Sequence, residues 1–234
     1  MTFLEFTHYI KEHLNLELNE SKSQNLQIYL KMLQEWNELF NLTAIVDEQK
    51  ILEKHFLDSL LPVQYFDLNN KTLIDIGTGA GFPGLVIAMV YDQAKVTLLE
   101  PNNKKVRFLK AVVAKLCLQN VEIINDRAEM QTSLREKFDY GIARAVKPLN
   151  ILLELAIPLL KVQGIFIAMK SSGVHEEIKQ AKKAFTTLKC KVHAMHEDLL
   201  PTDKDVRINL LIIKHEVTPN RYPRLYNQIS TKPL

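Results

Sequence analysis

From about Glu20 to Leu39, apolar residues recur at three- and four-residue spacing: Leu26, Tyr29, Leu30, Leu33, Trp36 and Leu39. That spacing predicts an amphipathic helix, closed by the turn-prone Asn41–Thr43. A second helix is expected from about Glu48 to Leu61, with Pro62 marking its end. Beyond Pro62 the pattern changes to short apolar runs alternating with helical segments: TLIDI, a helix after Pro83, KVTLLE, a helix over 104–118, VEII, FDYGIAR, a helix over 149–160, GIFIAM and a helix over 175–188. Such alternation implies βαβ units on a parallel sheet covered on both faces. Two further runs, 190–196 and 207–214, have no helix between them and are expected to pair as an antiparallel edge. The last twenty residues are polar, contain three prolines and read as a surface tail.

The chain has 234 residues, enough for one large domain with a small extension, and its 47% apolar and 24% charged residues are ordinary for a globular protein. A net charge of +3 permits nucleic acid as a partner without arguing for it. Cys117 and Cys190 lie far apart, so no disulfide framework is visible and a reducing compartment fits. The first thirty residues carry acids throughout, and no run approaches the length of a membrane span. A cytoplasmic protein is the expectation.

The chemistry concentrates in LIDIGTGAGFPGLVIAM, residues 73–89, where four glycines fall within eight positions. Glycine is what a backbone uses where a side chain would obstruct a close approach. A nucleoside-triphosphate loop would close on Lys-Ser or Lys-Thr, and this one closes on GFPGLV. Gly79, Gly81 and Gly84 satisfy the dinucleotide pattern G-x-G-x-x-G, with Glu100 downstream to accept ribose hydroxyls. Two details favour S-adenosylmethionine over NAD. Asp75, at the end of its strand, is expected to face the ligand and hold the amino-acid portion, where it would repel a pyrophosphate. The turn also begins a glycine early, as D-x-G-x-G-x-G over 75–81, and the cofactor has no phosphate to bind. Seven strands with a reversed last pair suit a methyltransferase sheet. Asp75, Gly77, Gly79, Gly81 and Glu100 are the cofactor candidates on this reading.

The stretches YLKMLQEWNELFNLTAI, EKHFLDSLLP, LIDIGTGAGFPGLVIA, NDRAE and FDYGIARAV follow one another in an order and spacing that resembles the bacterial small-subunit rRNA (guanine-N7)-methyltransferase G family, and RYPRLYNQISTKPL resembles its basic C-terminal tail. The resemblance covers nearly the whole chain, including the N-terminal helices that generic methyltransferases do not share. It implies a Rossmann-like class I S-adenosylmethionine-dependent α/β fold and methylation of one guanine at N7 in 16S rRNA of the 30S subunit. Carried over residue by residue, it adds cofactor contacts at Phe82, Ala128, Glu129 and Arg144. Ala143 stands where the family more often has serine, Gln163-Gly164 replaces a double glycine, and Asn227 replaces a tail glycine; none touches the glycine loop.

Guanine N7 already carries an in-plane lone pair, so no general base is expected and the work is one of positioning. Arg144, at the carboxyl end of the fourth strand, is the candidate beside the transferring methyl. Arg127, Arg207, Arg221 and Arg224 are candidates for RNA contact, which would make binding salt-dependent. Tyr222 and Tyr226 could stack on bases or pack the tail on its own domain. Cys190, His193 and His196 alternate across a strand and make no metal set. His55 and Asp58 are expected to pair on one helix face. Lys104, Lys105, Arg107 and Lys110 form a run that reads as a solvated face, with an RNA-facing role as the alternative that the resemblance implies. Trp36 is expected to pack the N-terminal helix on the sheet. The expected organisation is a helical extension over 1–66, a methyltransferase domain over 67–216 and a tail over 217–234, acting as a monomer. A nucleotide-binding protein without catalysis and a methyltransferase of proteins or small molecules are the rivals.

Overall fold

The computed structural model describes residues 1–144 and 147–234. Two helices, α1 (Phe3–Leu14) and α2 (Glu20–Phe40), precede a continuous helical segment over 48–65. That segment runs from α3 (Glu48–Ile51) through a π-helical stretch (Leu52–Leu57) and α4 (Asp58–Leu60) into a 3-10 turn (Leu61–Tyr65), so Pro62 tightens the helix instead of ending it. The α/β body follows: β1 (Thr72–Ile76), α5 (Gly84–Val90), β2 (Lys95–Leu99), α6 (Asn103–Lys115), β3 (Val121–Ile124), β4 (Phe138–Arg144), α7 (Leu149–Ala156), β5 (Leu160–Lys170), α8 (Val174–Gln180), α9 (Lys182–Leu188), β6 (Cys190–Leu199), β7 (Val206–Lys214) and α10 (Tyr226–Thr231).

The strands form one seven-stranded sheet in the order β3-β2-β1-β4-β5-β7-β6. β1 to β5 pair in parallel, and β7 inserts antiparallel between β5 and β6. The expected antiparallel edge is present, with β7 alone reversed. Successive strand residues supply opposite faces, as the pleat requires. Leu73, Ile142, Ile167 and Leu211 join the core under α1, α2, α5 and α6, whereas Ile74, Ala143, Ala168 and Ile212 join the core under α7 to α10. The N-terminal helices therefore share a core with one face of the sheet. Trp36 meets Phe108 of α6 at 5.6 Å, as expected, while Leu39 of the same predicted stripe is exposed.

Further features differ from the sequence pattern. α1 was not anticipated, although Thr2 and Glu5 form a reciprocal capping box at its start. The helix expected to reach residue 160 stops at Ala156 because Pro158 cannot continue the ladder. The helix over 175–188 is interrupted at Ala181.

The tail is built into the domain. Glu154 of α7, fully buried, accepts from the backbone nitrogen of Arg224 at 2.9 Å, its Nε at 2.7 Å and its Nη2 at 2.6 Å. Arg135 donates to the carbonyls of Tyr222 and Thr218, and Ile229 and Leu234 are buried beside them. Removing the cation strands a carboxylate in the core. Arg224→Ala is expected to cost about 3 kcal/mol, or roughly 6–12 °C in a chain of this size. Calorimetry of Arg224→Ala and of Arg224→Ala with Glu154→Leu checks this: the double variant should recover most of the loss.

Candidate active site

The carboxyl ends of β1 and β4 diverge where the strand order reverses, the place at which open α/β sheets bind ligands. A cavity of about 1020 Å³ opens there. Its walls are the loop after β1 (Gly77–Ala80 and Phe82), Glu100 after β2, Arg144 of β4, Met169 and Lys170 of β5, Lys54, His55 and Asp58 of the helical segment, and Arg207 of β7. Because β7 is antiparallel, its first residues lie at the same end of the sheet as the last residues of β4 and β5.

The glycine loop is shaped from both sides. The Asp75 carboxylate is fully buried, does not line the cavity, and accepts from the Gly84 nitrogen at 2.7 Å. This corrects the expectation that Asp75 faces the ligand: its geometry anchors the start of α5 and so shapes the loop. Burial pushes Asp75 up to about 6, an effect reduced by the Thr78 hydroxyl, the Gly84 amide and Arg144. On the other side, the Tyr29 hydroxyl of α2 donates to the Ala80 carbonyl at 2.6 Å. A side chain at Gly81, where φ is +108°, would meet that hydroxyl at 2.7 Å. At Gly77 φ is +72° and a Cβ would meet nothing within 4 Å, so the backbone there is bare toward the cavity.

Glu100 completes this half. Its Oε2 accepts from Gly79 at 2.8 Å and its Oε1 from the Asn102 nitrogen at 2.9 Å, leaving each oxygen with a second lone pair for a hydroxyl donor. The wall thus offers a bare backbone and a carboxylate without a phosphate-binding lysine in the loop, which fits a diol-bearing, phosphate-free cofactor such as S-adenosylmethionine.

The opposite wall is a network of charge. Arg144 Nη1 donates to the Lys54 carbonyl at 2.9 Å and to Asp58 Oδ2 at 3.3 Å, and Arg207 Nε donates to Asp58 Oδ1 at 3.0 Å. The guanidinium of Arg144 lies 5.2 Å from the centre of the Phe82 ring, on which His55 also stacks at 4.6 Å. Arg144 Nη2 is 3.1 Å from His55 Nδ1. Nδ1 lies equally far, 3.1 Å, from the Lys54 carbonyl, but that carbonyl already accepts from Arg144 Nη1. An arginine only donates, so Nδ1 is assigned as the acceptor and the proton to Nε2, which faces the Thr43 hydroxyl at 2.8 Å. His55 therefore binds Thr43 and Arg144, and the expected pairing with Asp58 is replaced by the two arginines.

Burial first, then Arg144, lowers His55 from 6.5 to about 3. The folded chain binds this proton less well than the unfolded chain, so the associated stability is present above pH 6.5 and lost as pH falls below it. Between pH 7 and 5 the loss is about 2 kcal/mol. Asp75 works in the opposite sense, since its raised value favours the folded state as pH falls through about 6. Urea unfolding of the wild type and of His55→Asn at both pH values separates the two: the wild type should lose about 2 kcal/mol relative to the variant.

The structure does not bring the remaining candidates together. Ala128 and Glu129 are buried in the turn after β3 and do not line the cavity. Arg127 is exposed, 5.5 Å from the Tyr226 ring, and Lys147 approaches the same ring at 5.3 Å. Arg221 is exposed beside Tyr222, and Arg224 is held by Glu154. Lys105 alone of its helical run lines the cavity. Thr43, Lys54, His55 and Asp58 also line the cavity, and of these the sequence pattern marks only His55 and Asp58, as a pair. Among the described residues no group of three or more His, Cys, Asp or Glu is placed to hold a metal, and no helix is long and apolar enough to cross a membrane.

The family model described as rRNA small subunit methyltransferase G matches residues 22–204. A ribosomal RNA small subunit methyltransferase G of Mycoplasma capricolum is 45% identical over 215 residues, covering 92% of this chain and 93% of that protein. Its namesake in Staphylococcus aureus is 42% identical over 228 residues, covering 96% of this chain and 95% of that protein. Among solved structures, M. jannaschii TYW2 in complex with AdoMet superposes with a TM-score of 0.57 at 16% identity, over 73% of this chain and 79% of that one. P. horikoshii TYW2 in complex with MeSAdo gives 0.55 at 15% identity, over 69% and 61%. At these identities the likeness is one of fold.

Proposed function

The chain belongs to the rRNA small subunit methyltransferase G family, and on that premise we propose that its cavity transfers a methyl group from S-adenosylmethionine to N7 of one guanine in 16S rRNA. It is an S-adenosylmethionine-dependent methyltransferase of class I fold. The observation that supports the N7 reading is the pairing of two unlike walls across one cavity. Bare backbone at Gly77 and the oriented carboxylate of Glu100 face a donor-rich wall of Arg144 and Arg207.

On this reading Gly77, Gly79 and Glu100 hold the cofactor, Gly81 and Asp75 keep the loop in shape, and Phe82 underlies Arg144. The bound cofactor supplies an electrophilic methyl on a sulfonium. Guanine N7, with its in-plane lone pair, would accept that methyl directly. No proton leaves N7, so the side chains need only orient the base and exclude water. The histidine at the site is consistent with this: both its ring nitrogens are already engaged, by Thr43 and Arg144. Lys105 and Lys147 at the cavity, with Arg127 beside Tyr226, form the basic approach for RNA. Within the same reading the chain acts as a cytoplasmic monomer on the small subunit.

The test is transfer of labelled methyl to 30S subunits from cells lacking the enzyme, beside deproteinised 16S rRNA, followed by digestion to nucleosides. Label in 7-methylguanosine is expected. Label confined to another nucleoside, or to ribosomal protein, would remove the N7 reading.

A further inference from the structure

Arg144 and Arg207 come from strands far apart in sequence, yet one carboxylate holds both. Asp58, 4% exposed, gives one oxygen to each guanidinium, and His55 adds an acceptor to Arg144 alone. These bonds use up part of each fork. Among the described residues, Arg144 keeps its Nε–H and one Nη2–H, and Arg207 keeps one Nη1–H, with its Nη2 lying 3.6 Å from Asp205 Oδ2. The free donors lie at a cavity wall that the glycine loop faces. Two donor-only groups fixed this firmly select for an acceptor on whatever enters.

We propose that His55 and Asp58 are positioning residues that hold the Arg144–Arg207 pair as a donor clamp for O6 of the target guanine, and that this clamp makes the enzyme discriminate guanine from adenine. The inference rests on the methyl-transfer reading above. The reaction constrains the contact. N7 must be left free to meet the methyl group, so the usual bidentate arginine contact to O6 and N7 is unavailable and recognition falls to O6. Adenine presents an amino donor at that position, against which an arginine has nothing to offer. A site built around hydrogen bonds rejects a base lacking the partner strongly, because its own buried donors are then left unpaired. Asp58 and Asp205 together offset the charge of the two guanidinium groups, which suits a neutral carbonyl better than a backbone phosphate. Its depth agrees, with the Arg144 and Arg207 side chains only 17% and 20% exposed.

The experiment compares kcat/KM on small subunits reconstituted with guanine at the methylated position and with 2-aminopurine there, which retains N7 but lacks O6. The wild type should prefer guanine by at least about a hundredfold, a ratio in the range of lost buried hydrogen bonds. Asp58→Asn and His55→Leu should shrink that ratio to within about tenfold, through slower reaction of guanine with little change for 2-aminopurine. His55→Asn, whose amide oxygen can replace Nδ1 as acceptor, should keep the ratio. Equal wild-type rates on the two bases would place the arginines on the RNA backbone and overturn the clamp, with no variant needed. A ratio preserved in both Asp58→Asn and His55→Leu, with both rates reduced alike, would also overturn it. Failure to methylate guanine at all would overturn the methyl-transfer reading as well.

Discussion

Adding one methyl group at Gly84 is expected to lower the melting temperature by about 10 °C and to abolish measurable cofactor binding. The Cβ of Gly84→Ala would stand 2.6 Å from Leu98 Cδ2, 2.7 Å from Asp75 Cβ and 2.8 Å from Asp75 Oδ2, all in the core. Relief requires α5 to withdraw from β1 and β2. That movement breaks the 2.7 Å bond from the Gly84 nitrogen and leaves a buried carboxylate without its donor. Overpacking and the lost partner together amount to about 4 kcal/mol. In a chain of this size that corresponds to roughly 8–16 °C. Gly77→Ala is the control: its Cβ meets no atom within 4 Å, so stability falls only by the strain of φ +72°, about 1–2 kcal/mol. Its methyl would project toward the cavity, so cofactor affinity should fall more than tenfold in a protein that still folds. Calorimetry and titration of both variants check the contrast. Equal stability of Gly84→Ala and the wild type would mean that the loop is not anchored through Asp75.

Arg144→Ala should reduce single-turnover methyl transfer by at least a hundredfold, roughly 3 kcal/mol of transition-state stabilisation. Cofactor affinity should change by less than about threefold, because Gly77, Gly79 and Glu100 are untouched. Asp58 retains its bond from Arg207, so the fold survives. Lysine at 144 should restore little, since one ammonium cannot reach Lys54, Asp58 and His55 together as the planar fork does. Unimpaired turnover in Arg144→Ala would remove the residue from the chemistry.

The parts of this molecule that were legible in the chain are those set by local pattern. Strand-length apolar runs alternating with helical spacing yielded all seven strands, and the glycine loop with Glu100 marked the end of the sheet that carries the site. α1 carries a readable signal, since Phe3, Phe6, Ile10 and Leu14 keep helical spacing behind a capping box, with only Glu5 and Glu12 as acids. The arginine network was beyond reach for a different reason. Asp58 meets Arg144 and Arg207 across 86 and 149 residues of chain, and the π-helical stretch before it breaks the regular phase by which helix faces are inferred. Asp75 illustrates a third limit. A carboxylate at a strand end before a glycine turn can point at a ligand or at the first turn of the following helix, and only the distance to the Gly84 amide decides between them. The tail reads as a polar surface segment, with packing on its own domain as the open alternative, because its anchors, Ile229, Leu234 and the Arg224–Glu154 pair, act individually and form no periodic stripe.

Mapping the methylated atom decides most directly whether this cavity performs the proposed reaction. Small subunits treated with the enzyme and S-adenosylmethionine are reduced with borohydride and cleaved with aniline, a sequence that breaks RNA at 7-methylguanosine. One new break in 16S rRNA is expected, absent without cofactor and weakened with Gly77→Ala at a cofactor concentration below the wild-type Kd. Several breaks, or none despite measured cofactor binding, would contradict a site built to present a single guanine N7 to the methyl group.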